Sequence, residues 1–137
     1  SKMYKNILVP VAVDHDPETE RALTVARLLK DEGGRITLLT VLEAVPEFIM
    51  NQLPEGQLEH NRDEMKKGLS EDMAGADDVD IAVVSGHAGR TILDFAGEQG
   101  IDCIVMNSHR PDLTDYFLGS TAARVVRHAR CAVHVLR

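Results

Sequence analysis

The chain has 137 residues, of which 44% are hydrophobic and 27% are charged, and this balance predicts one folded domain spanning residues 1–137. Its formal net charge of −7 argues against a surface that binds nucleic acid. With only two cysteines there is no disulfide framework, no signal peptide is recognisable, and the apolar runs are too short to span a membrane. We therefore expect a cytoplasmic protein.

The charge is unevenly distributed along the chain. Residues 103–137 carry five arginines and two aspartates, whereas residues 1–102 carry ten basic and twenty acidic side chains. The last quarter of the chain therefore offers the field that favours a small anionic ligand. Chance clustering of arginines on solvated helix faces is the alternative explanation.

Five short apolar segments alternate with helical patterns. Because these segments are apolar on both faces, they are typical of a parallel sheet covered by helices on both sides. We expect Asp16-Pro17 to begin the first helix and Gly33-Gly34 to end it. The alternation predicts a doubly wound α/β fold. The expected strands are Asn6–Val13, Arg35–Leu42, Asp80–Ser85, Asp102–Met106 and Ala132–Leu136.

Residues 43–78 interrupt this alternation. A thin apolar stripe at helical spacing predicts a surface helix that lies on the sheet; its members are Leu58, Met65, Leu69 and Met73. The connection before it, residues 43–56, is more apolar than a solvated loop. Its apolar side chains either pack against their own domain or form a lid or a partner-binding surface. They are Phe48, Ile49, Met50 and Leu53.

The carboxyl ends of the first and fourth predicted strands hold the candidate ligand site. Open α/β sheets bind ligands beyond such ends, where the strand order reverses. Downstream, Gly119 allows close approach of a ligand, and Ser120-Thr121 at a helix start offer N–H and hydroxyl groups to an anion. Ser108 and His109 project from the fourth strand toward the same place.

Other chemistry-bearing residues have plainer explanations. Asp14-His15-Asp16 is better explained as a helix cap and a loop histidine than as metal ligands, so no metal site is predicted. Cys103 is expected to be a small core residue. The chain contains no Ser-His-Asp order in a supporting context and no phosphate loop GxxxxGK[ST]. Efficient catalysis is therefore not expected.

Taken together, six segments resemble the universal stress protein family over the whole chain. The densest similarity runs from Ser108 to Ser120, in the region where ATP-binding members share the loop Gly-x2-Gly-x9-Gly-Ser/Thr. The resemblance implies a five-stranded parallel sheet in the order 3-2-1-4-5. The six segments are Asn6–Pro10, Thr40-Val41, Ser85-Gly86, Asp102–Met106, Ser108–Ser120 and Cys131–Val135.

The resemblance also implies a site for an adenine nucleotide, namely ATP, ADP or AMP, with Mg²⁺ as a candidate companion ion. By matching position, Pro10 and Val11 of the first strand border the nucleoside, and Val41 of the second strand contacts the adenine. Residues 106–110 lie along the ribose and the phosphates, and residues 119–121 contact the phosphate chain. The residues carried over are Pro10, Val11, Ala12, Val41, Met106, Asn107, Ser108, His109, Arg110, Gly119, Ser120 and Thr121.

This chain departs from the family pattern at two glycines of the loop and at the acid of the first strand, two places after the proline, which is Ala12 here. Asn107 and Arg110 occupy the first two glycine positions, and eight residues rather than nine separate Arg110 from Gly119. Asparagine tolerates a left-handed backbone, so we expect Asn107 to keep the turn. The Arg110 guanidinium is expected to reach a phosphate oxygen.

The function implied by the resemblance is a stress-response or signalling module that binds ATP and acts through a protein partner. The family also implies a homodimer joined through the last strand. Two alternatives stay open. One is a dimeric interaction protein of the same family that binds no nucleotide, and the other is a slow ATPase in which His109 or Ser120 orients water or phosphate.

Overall fold

The structure, a computed structural model, describes residues 3–11, 17–43, 46–72, 76–108 and 118–137. The five strands form one parallel sheet in the order β3-β2-β1-β4-β5, which confirms the predicted fold. The elements are β1 (Tyr4–Val11), α1 (Pro17–Leu29), β2 (Lys30–Leu42), α2 (Glu47–Met50), α3 (Gln57–Asp72), β3 (Val79–Ser85), α4 (Ala88–Glu98), β4 (Cys103–Asn107), α5 (Ser120–His128) and β5 (Ala132–Leu136).

Alternate side chains of the central strands belong to two separate hydrophobic cores, one on each face of the sheet. Ile7 and Val9 of β1 pack on the side of α1, together with its fully buried Leu23. Leu8, between them, packs on the opposite side with Ile92 of α4 and with Val125 of α5. Since successive residues of a strand face opposite sides of the sheet, the nearly continuous apolar run of β1 is explained by helices on both faces.

Asp102, which precedes β4, stabilises the amino-terminal edge of the sheet, where the amino ends of the parallel strands lie. Its carboxylate accepts hydrogen bonds from the N–H of Lys5 at 2.9 Å and of Asn6 at 3.1 Å. The Asn6 side chain donates in turn to the carbonyl of Gln99 at 2.8 Å. The strand therefore begins at Cys103, one residue later than the sequence predicts, and Asp102 ties β1 to the chain entering β4.

The expectation that Gly33-Gly34 ends the first helix is wrong. α1 ends at Leu29, and Lys30 already pairs with Tyr4 of β1. Between Tyr4 and Asn6 the partner on β2 shifts from Lys30 to Arg35, so β2 bulges over the two glycines. Gly33 has a φ of 79°, and a Cβ on Gly34 would lie 3.1 Å from the Lys5 carbonyl oxygen. The glycines serve this bulge and the close approach of β1.

The connection between β2 and α3 exposes its apolar side chains. Phe48 is 67% exposed, Ile49 38% and Met50 46%, and α2 has no buried residue. Packing against their own domain is therefore wrong for these three side chains, while the lid or partner-binding surface stays a prediction. In α3, Leu69 is buried, as the predicted stripe requires. Leu53, Leu58 and Met65 are half-buried, and Met73 lies outside the described residues.

Candidate functional site

The strand order reverses between β1 and β4, because β2 and β3 lie on one side of β1 whereas β4 and β5 lie on the other. Pro10 and Val11 are the last residues of β1, and Met106 and Asn107 are the last of β4. Val41 lies near the end of β2 on the α4–α5 side of the sheet. The structure thus brings the predicted strand residues to one edge, where doubly wound sheets bind ligands.

The start of α5 is held directly beside the end of β4. The N–H of Gly119 donates to the carbonyl of Ser108 at 2.6 Å, and the N–H of Ser108 donates to the carbonyl of Leu136 in β5 at 2.8 Å. Gly119 is the N-cap residue of α5 and supplies no side-chain cap. Because the first N–H groups of a helix have no partner within it, those of Ser120 and Thr121 are available to an anion at this edge.

Two buried polar atoms at the same edge have no hydrogen-bond partner in the part of the chain that the structure describes. They are the hydroxyl of Thr40, which is 0% exposed, and the side-chain carbonyl oxygen of Asn107. A buried polar group without a partner costs about 1–3 kcal/mol. The amide of Asn107 is of special interest, because a hydrogen-bond donor placed beyond β4 would relieve that cost.

A second group of polar residues lines a cleft of about 670 Å³ between α4 and α5. Ser120 and Thr121 line this cleft, whereas the predicted residues at the ends of β1, β2 and β4 do not. The full lining is Glu43, His87, Ala88, Ser120, Thr121, Ala123, Arg124, Arg127 and His128. Sequence reasoning did not assign Arg124 and Arg127 to a site, although both belong to the positively charged residues 103–137.

Three predicted site residues, Ala12, His109 and Arg110, lie outside the described residues, as does the Asp14-His15-Asp16 segment. Within the described ranges, no cluster of three or more His, Cys, Asp or Glu side chains is placed to hold a metal ion. None of the described helices is long and apolar enough to cross a bilayer.

Both cysteines are free thiols. Cys103 is buried, as predicted for a small core residue, and burial raises the pKa of its thiol to about 11. Cys131 is half-buried, and desolvation raises its pKa as well. Because the thiolate is the reactive form, these shifts favour unreactive structural cysteines over redox or nucleophilic ones.

Comparison with known proteins agrees with this architecture. The sequence profile of the "Universal stress protein family" matches residues 3–137. Universal stress protein G of Salmonella typhimurium (strain LT2) is 31% identical over 143 residues, which cover 98% of this chain and 100% of that protein. The solved structure of universal stress protein UspA from Lactobacillus plantarum superposes with a TM-score of 0.70 at 27% identity, with 100% of both chains covered.

A further solved structure, described as a universal stress protein in complex with cAMP, superposes with a TM-score of 0.61 at 20% identity and covers 98% of this chain and 97% of that one. At this level of identity the similarity bears on the fold alone. The profile match over nearly the whole length and the 31% identical relative establish more than the fold. The chain belongs to the universal stress protein family.

Proposed function

We propose that this chain, acting as a single domain of residues 1–137, binds an adenine nucleotide at the carboxyl ends of β1 and β4 and works through a protein partner in stress response or signalling. The observation that carries the proposal is the 2.6 Å hydrogen bond from Gly119 to Ser108. This bond holds the first N–H groups of α5, which have no partner among the described residues, beside the crevice where the strand order reverses. Phosphate groups bind at such helix starts.

The apolar residues at the same edge suit the base. Pro10, Val11 and Val41 are half-buried, so each presents some apolar surface at the ends of β1 and β2. A planar adenine that covers such side chains removes apolar area from water, which stabilises the complex by about 25 cal/mol for each Å². The proposed order along the edge is therefore adenine near Val41, ribose near the end of β4, and phosphates at Ser120 and Thr121.

Asn107 fits this ligand because its buried side-chain oxygen is without a donor among the described residues. Adenosine carries such donors on its ribose hydroxyls and its exocyclic amine. A hydrogen bond from one of them to Asn107 would satisfy the oxygen, so we propose that Asn107, at the first glycine position of the family loop, contacts the nucleoside.

The proposed ligand is compatible with this fold, since a universal stress protein of the same fold was solved in complex with cAMP, which is an adenine nucleotide. The proposal includes no metal site built from the protein's own side chains. Mg²⁺ enters it only as an ion carried by the phosphates of ATP. Catalysis is not part of the proposal either, and release of phosphate from ATP above the buffer background would instead favour the slow ATPase.

The proposal includes a homodimer formed through β5. Among the described strands β5 pairs only with β4, so its other edge is available to a second copy. Val133 and Val135 of this strand are half-buried. Light scattering at micromolar concentration is expected to give twice the mass of one chain, and a monomer would contradict the dimer. The cytoplasm stays the predicted location.

Calorimetric titration of the nucleotide-free protein with ATP and AMP tests the site. Gly119→Val is expected to abolish binding, because its side chain blocks the approach of the phosphates. Ser120→Ala removes one hydroxyl contact and is expected to weaken binding by about 0.5–1.5 kcal/mol. Ser70→Ala, which removes an exposed serine of α3, is the matched control and leaves the affinity unchanged.

Absence of a binding heat with either nucleotide would overturn the proposal and favour the interaction protein that binds no nucleotide. Mass spectrometry of small molecules released from the freshly purified protein gives an independent readout. Adenine nucleotide recovered from wild type but not from Gly119→Val is the expected result.

A further inference from the structure

We propose that the cleft between α4 and α5 is a binding site for a polyphosphate chain, held by Arg124 and Arg127. The cleft has a volume of about 670 Å³, within the range of small-ligand sites. It shares Ser120 and Thr121 with the proposed nucleotide site, but its other polar residues lie further along α5 and on α4. The proposal goes beyond nucleotide binding, because it requires neither adenine nor ribose.

The cleft concentrates positive charge in a chain whose net charge is −7. Among its described lining residues, the charged side chains are Arg124 and Arg127 and one carboxylate, that of Glu43. Within the described residues, neither arginine has a carboxylate at ion-pair distance. Guanidinium groups without a carboxylate partner among the described residues favour a phosphate-bearing ligand, which they bind with two parallel hydrogen bonds.

The spacing of these residues along α5 sets the length of the ligand. Ser120, Arg124 and Arg127 follow one another at intervals of four and three, which places them on one face of the helix. At 1.5 Å per residue they span about 10 Å. A single orthophosphate cannot contact both ends of such a row, whereas a chain of three or more phosphates can. The geometry therefore favours polyphosphate over phosphate.

Gly89, in the first turn of α4, lies against the aliphatic part of the Arg124 side chain. Gly89 is buried, and a Cβ placed on it would lie 2.8 Å from Cδ and 3.4 Å from Cβ of Arg124. The aliphatic stem of the arginine therefore lies against bare backbone, and α4 and α5 pack together at this point. A stem held in this way loses less rotamer freedom when its guanidinium binds a ligand.

Calorimetric titration of the nucleotide-free full chain with inorganic tripolyphosphate tests the proposal. Wild type is expected to bind tripolyphosphate at least tenfold more tightly than orthophosphate, with an affinity that falls as salt is added. Arg124→Ala and Arg127→Ala are each expected to weaken binding about tenfold. Arg130→Ala removes the same charge outside the cleft, and its affinity for tripolyphosphate stays within twofold of wild type.

Gly89→Ala distinguishes binding that depends on the position of Arg124 from nonspecific attraction to surface charge, since it displaces Arg124 without changing the net charge. A severalfold loss of affinity is expected in wild type and none in an Arg124→Ala background. Equal losses from Arg130→Ala and Arg124→Ala, or no heat with tripolyphosphate, would overturn the proposal. Titration with AMP tests the nucleotide site separately, because AMP carries no phosphate chain. Thermal melting checks that every variant is folded.

Discussion

The two edges of the sheet differ in how their polar groups are satisfied. At the amino-terminal edge, Asp102 accepts two backbone N–H groups, and Arg35 pairs with Asp80 and donates to the Asp77 carbonyl at 3.0 Å. At the carboxyl edge, the Thr40 hydroxyl and the Asn107 amide oxygen are buried without partners, within the described residues.

This difference predicts that stability and the proposed ligand binding depend on different residues of one small domain. Groups that are paired within the fold stabilise it and offer nothing to a ligand, whereas buried groups without partners destabilise it until a ligand supplies the missing bonds. Substitutions at the amino-terminal edge are therefore expected to change folding but not binding. Those at the carboxyl edge are expected to change binding and to leave stability equal or higher.

The largest expected effect concerns the thiol of Cys103 at the amino-terminal edge of the sheet. Cys103 begins β4 and is buried, which raises the pKa of its thiol to about 11, so at pH 8 only about one thiol in a thousand is ionised. Iodoacetamide at pH 8 is expected to alkylate the half-buried Cys131 at least a hundredfold faster than Cys103, as followed by mass spectrometry. Equal rates would show that this edge opens readily.

Asp102→Ala is expected to lower the free energy of unfolding by about 2 kcal/mol, because it leaves the N–H groups of Lys5 and Asn6 without their charged acceptor. Urea denaturation measures the loss. Asp102→Asn keeps one acceptor oxygen and should lose less. Affinity for ATP, measured on the folded fraction, is expected to stay unchanged. A loss of affinity alongside the loss of stability would contradict the prediction that the amino-terminal edge contributes to folding and not to binding.

Thr40→Val tests the opposite edge. Replacing a fully buried hydroxyl that lacks a partner among the described residues with a methyl group is expected to raise the free energy of unfolding by about 1 kcal/mol. The matched control is Thr37→Val, which makes the same change in the same strand at a half-buried position. A less stable Thr40→Val protein would mean that the hydroxyl has a native hydrogen bond.

The smallest effect is expected at the exposed ion pair of the amino-terminal edge. Hydrogen bonding to Asp80 and its charge raise the pKa of Arg35, but the two side chains are 48% and 56% exposed. Exposed pairs contribute little and are screened by salt. Arg35→Ala is therefore expected to reduce the melting temperature slightly at low ionic strength. The difference in melting temperature between the variant and wild type should disappear at 1 M NaCl. A difference that persists at this salt concentration would show that lost packing, and not the lost ion pair, causes it.

The strands and their alternation with helices were predictable because apolar periodicity reports burial directly, whereas the strand order 3-2-1-4-5 was implied by the resemblance to the universal stress protein family. β5 has the predicted bounds, and the shift of β4 by one residue comes from Asp102, whose role depends on a partner about a hundred residues away. Gly33-Gly34 was misread because a glycine pair indicates freedom of the backbone, not whether a helix end or a bulge uses it.

The candidate site was predictable only in part. Ser120 and Thr121 follow from a local pattern at a helix start. The cleft beyond them depends on Gly89 of α4 lying under Arg124 of α5, a contact between residues distant in sequence that no local pattern contains. The unpaired oxygen of Asn107 is equally invisible in the sequence, since any asparagine at the end of a strand has many ways to find a donor.

The hydrogen bond from Gly119 to Ser108 also makes the length of the intervening segment nearly irrelevant to the sheet. The chain leaves β4 and returns to α5 at two points that are already joined, and the entropy of closing a loop changes slowly with its length. This explains how a loop one residue shorter than the family pattern can connect the same elements. A change in the number of residues between Ser108 and Gly119 is therefore expected to alter the stability of the sheet only slightly.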